Sequence, residues 1–302
     1  MAVARYTLLE LTRRRILLVF FIIGAAGIAL LGILLKVFSS SISGTFQNGG
    51  GGGGGPNGPP PLTPAQLNQL LELTFVQNLI GVLGLFALLI AYAIGMTAIY
   101  HDLESGSAVS IFSKPVSRVA FTIGKLAAAV AAIIVIVGLL GIEARLFILL
   151  FGGGLEQALT LEILASVANA VTLMLLVLAL TTWMNNIVAA VVAFIYNGAA
   201  GIVVALHNQM ENGFLGDNQI VHTGLTILYW IVPHSLVSDA PREIARQEFA
   251  IFNAGNVNVG ESASQAVSGI PGPSSVGDIV WWAFVIVVFA SLVYVAVRRR
   301  QV

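Results

Sequence analysis

The chain contains no cysteine, which removes disulfides, thiolate nucleophiles and cysteine-ligated zinc together. Charge is scarce as well: Asp, Glu, Lys and Arg make up 9% of its 302 residues, against about 25% in an ordinary soluble domain. So few charges cannot cover the surface of a water-soluble protein of this size. The hydrophobic share is 57% and the mean hydropathy +0.93, so a disordered chain, which needs low hydrophobicity, is excluded too. The 14 basic residues are balanced by 14 acidic ones, and no net positive charge exists to draw a nucleic acid. No G-x-x-x-x-G-K-[ST] stretch occurs, so the chain does not hold ATP in a P-loop. His101, His207, His222 and His234 are scattered without helical spacing, and no metal site is expected from them. The apolar runs contain no His and almost no acid. Intramembrane proteolysis, ion conduction and proton-coupled transport, which need ionisable groups within the membrane, therefore drop out. No catalytic residue is expected, and the chain is read as not being an enzyme.

What the sequence has is long apolar runs. A helix needs about 20 mostly apolar residues to cross hydrocarbon about 30 Å thick. Six runs meet this, at about 16–35, 79–100, 119–142, 163–182, 187–206 and 279–297. The expected fold is a single all-α integral membrane domain over 1–302 with six transmembrane helices. Orientation follows from Lys and Arg, which favour the cytoplasmic side. With the N-terminus inside, ten of the 14 basic residues fall on the cytoplasmic side with only Glu10, Asp102 and Glu104 as acids. The opposite side carries eleven acids against Lys36, Arg145, Arg242 and Arg246. Both termini are thus expected in the cytoplasm, with the chain in the plasma (inner) membrane and the lipid bilayer as its first partner.

Segment 39–78 contains seven consecutive glycines and a proline-rich stretch after them, and reads as a flexible outer linker. Segment 207–278 is the largest outer loop. Within it, 224–232 is apolar but only nine residues long before Pro233, about half a span, so a re-entrant or interfacial element is expected there. Asp239 is the expected N-cap of a short helix that follows.

The inward loop between the second and third spans runs from His101 to Arg118. Ser105-Gly106 reads as a turn, 107–112 as a mini-helix, and Pro115 as its stop, because a proline keeps the preceding residue out of the α region. Ser117 offers an N-cap to the third span. Val109, Ile111 and Phe112 would be presented outward, and exposed apolar groups rimmed by charge mark a protein contact. Asp102 at a helix C-terminus and Arg118 at a helix N-terminus have the unfavourable sign for the helix dipole. Pairing of Asp102 and Glu104 with Lys114 and Arg118 would compensate. By spacing alone two readings stand: a docking element, or an ordinary positive-inside loop with screened charges.

The stretch Glu104-Ser-Gly-Ser-Ala-Val-Ser-Ile-Phe-Ser-Lys-Pro-Val-Ser-Arg118, followed by Phe121 and Gly124-Lys125, resembles the ABC-2 family of ABC-transporter permeases. That family includes the permease of the nitrous-oxide-reductase copper-maturation system. The six-span layout, inward termini and long last outer loop fit the same resemblance over nearly the whole chain; the glycine-rich linker is not part of the family pattern. The resemblance implies that Asp102, Glu104, Ser105, Gly106, Val109, Ile111, Phe112, Lys114, Pro115, Val116, Ser117 and Arg118 form a coupling helix and its anchors. That element would rest on a cytoplasmic ABC ATPase subunit. It also implies a second permease subunit, identical or homologous, around a central pathway. ATP and magnesium would be bound by the ATPase, and no cofactor by this chain. The expected function is the permease subunit of an ATP-driven exporter. The alternative is a non-transporting polytopic scaffold that docks a cytoplasmic partner.

Three other features carry paired readings. Residues 3–15 are either an interfacial helix or an irregular basic tail. Lys125 either faces a pathway or snorkels to headgroups. Glu143 and Arg145 form either a boundary pair or a gate, on a third span that would bend near Gly138 or Gly141 or lie partly in the interface. Asn169, Thr172, Thr181 and Asn197 are the polar groups expected along otherwise apolar cavity walls.

Overall fold

The computed structural model describes residues 6–7, 15–47, 63–99, 117–151, 156–211, 219–252 and 270–299. Among these residues the chain is all-helical. Its helices are α1 (Arg15–Gln47), α2 (Pro64–Thr97), α3 (Arg118–Phe151), α4 (Glu156–Trp183), α5 (Asn186–Glu211), α6 (Gln219–Ile231), α7 (Ala240–Phe252) and α8 (Val276–Arg299). All but α6 and α7 are long and apolar enough to cross a membrane, six in number. The chain is a multi-pass membrane protein.

The long helices overrun the apolar runs. α1 continues to Gln47, and α2 begins at Pro64 rather than near residue 79, so both ends of the expected 39–78 linker are helical. The start of α2 has a local cause. Thr63 Oγ1 accepts from the Gln66 N–H, the Gln66 side chain accepts from the Thr63 N–H, and Pro64 sits in the first turn. A capping box with proline at the first helical position specifies a helix start without any hydrophobicity. The extra turns are packed, since Leu73, Phe75 and Val76 are buried. α3 runs as one helix of 34 residues, about 51 Å at 1.5 Å per residue. Residues 152–155, which follow it, lie outside the described residues.

α4 is the axis of the bundle, packed against α2, α3, α5 and α8. Lipid tails are as apolar as the side chains, so close fit and hydrogen bonds hold such helices together rather than burial from water. The α2–α4 seam shows this. Ala87, Ala91, Ala98 and Ile94 on α2 and beside it, with Ala170, Met174, Val177 and Leu178 on α4, are buried. At Gly95 a Cβ would stand 2.8 Å from Val177 Cβ and 2.9 Å from the Met174 carbonyl oxygen. Glycine is the residue that admits this approach. α1, α5 and α8 lie at the periphery with broad exposed apolar faces, among them Ile33, Phe194, Ile195 and Val287.

Charges separate along the bundle. At one end Arg118 donates to the Arg298 carbonyl oxygen at 2.8 Å, and the Arg299 guanidinium stands 5.8 Å from the centre of the Trp183 ring. At the other end Glu162 and Asp278 bind the segment around α6 and α7.

Candidate functional site

The most elaborate polar arrangement among the described residues lies where the C-terminus of α5, α6 and the N-terminus of α8 meet. After α6 the chain breaks at Pro233, runs without helix through 233–238 and re-enters a helix at Ala240. Non-helical backbone against apolar helices needs partners for its N–H and C=O groups. α4 supplies them. The Asn169 amide donates to the Leu236 carbonyl at 2.8 Å and accepts from the Leu236 N–H at 2.7 Å. Ser238 donates to Glu162 at 2.6 Å, while the Val237 N–H donates to Ser274 Oγ at 2.8 Å. Trp282 on α8 donates to the Ala168 carbonyl at 3.3 Å. This strap is thus stitched to α4 and to the segment leading into α8.

Its second anchor is Asp278. The carboxylate accepts from Tyr229 Oη at 2.9 Å and lies 3.2 Å from His234 Nε2 through Oδ1. Oδ2 accepts from the Ser275 N–H and hydroxyl at 2.7 and 2.9 Å. Ser275 Oγ in turn accepts from the Asp278 N–H at 3.2 Å. Ser275 and Asp278 thus form a capping box at the start of α8, and the same carboxylate holds α6 and the strap. His234 is 6% exposed and Asp278 7%. Tyr229 is stacked between two imidazoles, with ring centres 4.2 Å from His207 and 4.0 Å from His234. Burial pushes the Tyr229 phenol well up, and the hydrogen bond and charge of Asp278 add to it. The phenol therefore stays a donor at any physiological pH.

Above this cluster opens a cavity of about 470 Å³, lined by His207, Glu211, His222, Tyr229, Arg242 and Asp278 among others. His207 Nε2 is 3.3 Å from Glu211, and its buried Nδ1 has no hydrogen-bond partner. Arg242 donates to the Ile270 carbonyl at 2.9 Å, closing the opposite wall. Below the strap is a void of only about 20 Å³, bounded by Thr172, Tyr196, Asn197 and His234 among others. Of the polar groups expected along a cavity, Asn169, Thr172 and Asn197 meet here. Thr181 does not: it is fully buried and donates to the Leu178 carbonyl. Among the described residues no group of three or more potential metal ligands converges.

Of the coupling residues, Asp102, Glu104, Ser105, Gly106, Val109, Ile111, Phe112, Lys114, Pro115 and Val116 lie outside the described residues. The two that follow them are described. Ser117 accepts from the Ala120 N–H at 3.2 Å, the N-cap expected of it, and Arg118 reaches the last turn of α8. An arginine at a helix N-terminus is unfavourable, but one bonded to the carbonyl end of another helix is favourable. Lys125 is 2% exposed, with Nζ 6.0 Å from the Phe121 ring centre, which is an enclosed position rather than a lipid-facing one. Asp239 precedes α7, where Ser238 Oγ accepts from the Ala240 N–H and the Asp239 carboxylate lies 4.0 Å from Arg246.

Three of the four histidines, distant in sequence, therefore gather at one end of the bundle. His207 and His222 line the larger cavity, and His234 bounds the void beneath the strap. No spacing rule links 207, 222 and 234. The available signal was Asp278 immediately before an apolar run, together with a histidine directly after Pro233. No protein-family model and no curated protein matches the chain.

Proposed function

We propose that the chain is the membrane-spanning permease subunit of an ABC-2-type transporter, an exporter driven by separate ATPase subunits on the cytoplasmic face. The carrying observation is the sequence from Glu104 to Arg118 between the second and third spans, with its apolar trio, proline stop and basic anchors. Two features of the fold support the reading. The loop's downstream end is tied to the far end of the last span through Arg118 and Arg298, so a push on the loop has a route into α3 and α8 together. The short helices α6 and α7 stand between the fifth and sixth long helices, where a re-entrant element is expected. In this reading ATP binding elsewhere shifts the helices between two arrangements because the ATPase has different affinity for each. The cargo passes between this chain and a second permease subunit. Both termini are cytoplasmic and the cavity beside α6 and α7 faces away from the ATPase.

Phe112 is the largest apolar group of the loop. Truncating a central aromatic anchor costs about 2 kcal/mol, so Phe112→Ala should weaken the isolated loop-to-ATPase contact about 30-fold. Co-purification of the P-loop ATPase with the chain in detergent, with and without the substitution, measures it. Unchanged recovery removes the docking role.

A further inference from the structure

The strap 232–239 closes the polar cluster over α4, and the geometry of His234 says how it is held. Nε2 faces Oδ1 of Asp278 at 3.2 Å, while Nδ1 faces the backbone carbonyls of Tyr229 and Val232 at 3.1 and 3.3 Å. All three partners are acceptors. A neutral imidazole has one N–H and one lone pair, whereas an imidazolium has two N–H groups. Only the charged ring satisfies every contact; a neutral ring would point a lone pair at either the carboxylate or the carbonyls. Asp278 has no proton to offer in return. Its oxygens already receive the Tyr229 hydroxyl, the Ser275 N–H and the Ser275 hydroxyl. The face of Tyr229 stacked on the ring favours a cation further.

We propose that protonated His234, paired with Asp278, is a pH-sensitive latch that holds the strap over the polar void between α4 and α5. When the ring loses one N–H proton to water, either the carboxylate or the carbonyl contacts fail, and the strap loosens. The latch is therefore closed at lower pH and released as pH rises. The titratable and charged groups around it are few. Tyr229 comes from α6, Asp278 from α8, Tyr196 from α5 across the void that His234 also bounds, and His207 with Glu211 from α5 on the far side of Tyr229. Glu162 of α4 is bound to Ser238, and Arg242 of α7 to the Ile270 carbonyl. His222 lines the larger cavity, which His234 does not. Of these, only His207 is a second imidazole in the same stack, and it is the control that the test requires.

Hydrogen exchange of the strap reads the latch directly, on the full chain in lipid nanodiscs and without any ATPase. The amides of Leu236 and Val237, bonded to Asn169 and Ser274, report it once rates are corrected for intrinsic chemistry. A hydrogen bond to a charged group is strong enough that their protection should fall at least about tenfold between about pH 5.5 and about pH 9. His234→Gln should abolish the pH dependence and His207→Gln should retain it. Equal protection at both pH values overturns the proposal, as does pH dependence that survives His234→Gln or vanishes only in His207→Gln. If His234→Gln does not fold, the nitrogen-15 resonances of the unaltered ring decide. Both nitrogens protonated at the lower pH support the latch, and a neutral ring there overturns it. Since no ATPase enters the test, its failure would leave the permease reading standing, and the reverse also holds.

Discussion

Replacing Asp278 by alanine should lower the stability of the folded chain by about 3–5 kcal/mol, because several buried donors lose their shared acceptor at once. The size follows from how much converges on this carboxylate. It receives Tyr229 from α6, faces His234 in the strap and closes the cap of α8 through Ser275. Alanine leaves the imidazole nitrogen buried against nothing and removes the acceptor of a buried phenol. Each orphaned buried donor costs about 1–3 kcal/mol by itself. The cap adds about 1 kcal/mol when lost. These losses share one site and do not simply add. Asp278→Asn keeps an acceptor oxygen for Tyr229 but not the charge, and should fall between alanine and the unaltered chain. Denaturant titration in mixed micelles, followed by tryptophan fluorescence, measures all three proteins, because Trp230 and Trp281 lie beside the site. A loss under about 1 kcal/mol for Asp278→Ala would contradict the geometry.

Gly95→Val should be as damaging for a different reason. Overpacking typically costs about 1–3 kcal/mol, more where backbone cannot give way. Here one obstacle is the Met174 carbonyl oxygen, 2.9 Å from the new Cβ, and another is Val177 Cβ at 2.8 Å. Neither is the far end of a flexible side chain. The substitution must therefore push α2 off α4, the helix that also carries Asn169 and Glu162. Gly84 lies on the same α2, and a Cβ added there would meet nothing within 4 Å, so Gly84→Val supplies the control for propensity alone. Size-exclusion profiles and melting temperature in detergent compare the two. Equal behaviour of the pair would mean that α2 and α4 do not pack as described.

The six spans were legible because length and hydropathy together leave few alternatives for a run of about 20 apolar residues. Helix ends were less so. The span criterion stops where polar residues begin, yet α2 starts at Pro64 because Thr63 and Gln66 cap it. That signal was present as Thr-Pro-x-Gln inside a segment dominated by glycine and proline. The break at Pro233 after the short apolar run was legible for the steric reason that prolines end helices. The His–Tyr–His stack was not. Its members come from α5, α6 and the strap, and only the return of the chain across α4, through Asn169 and Leu236, brings them together. Arg118 illustrates the intermediate case. Its unfavourable place at a helix start announced a partner, and one partner is the carbonyl of Arg298, 180 positions further along, while Asp102 and Glu104, the acids expected to pair with it, lie outside the described residues.

Whether this chain converts the state of a cytoplasmic ATPase into movement of its helices is tested most directly at Pro115. This residue is expected to fix the end of the mini-helix without belonging to the apolar trio that makes the contact. Replacing it with glycine frees φ and lifts the restriction on Lys114, leaving Val109, Ile111 and Phe112 in place. ATP hydrolysis by the ATPase should be measured with this chain in nanodiscs, with Pro115→Gly and with no permease, and co-purification recorded beside it. A transporter's permease should change the hydrolysis rate, and Pro115→Gly should bind the ATPase equally well but lose most of that change. A rate indifferent to the unaltered chain, or one that responds to both chains alike, would contradict the coupling role.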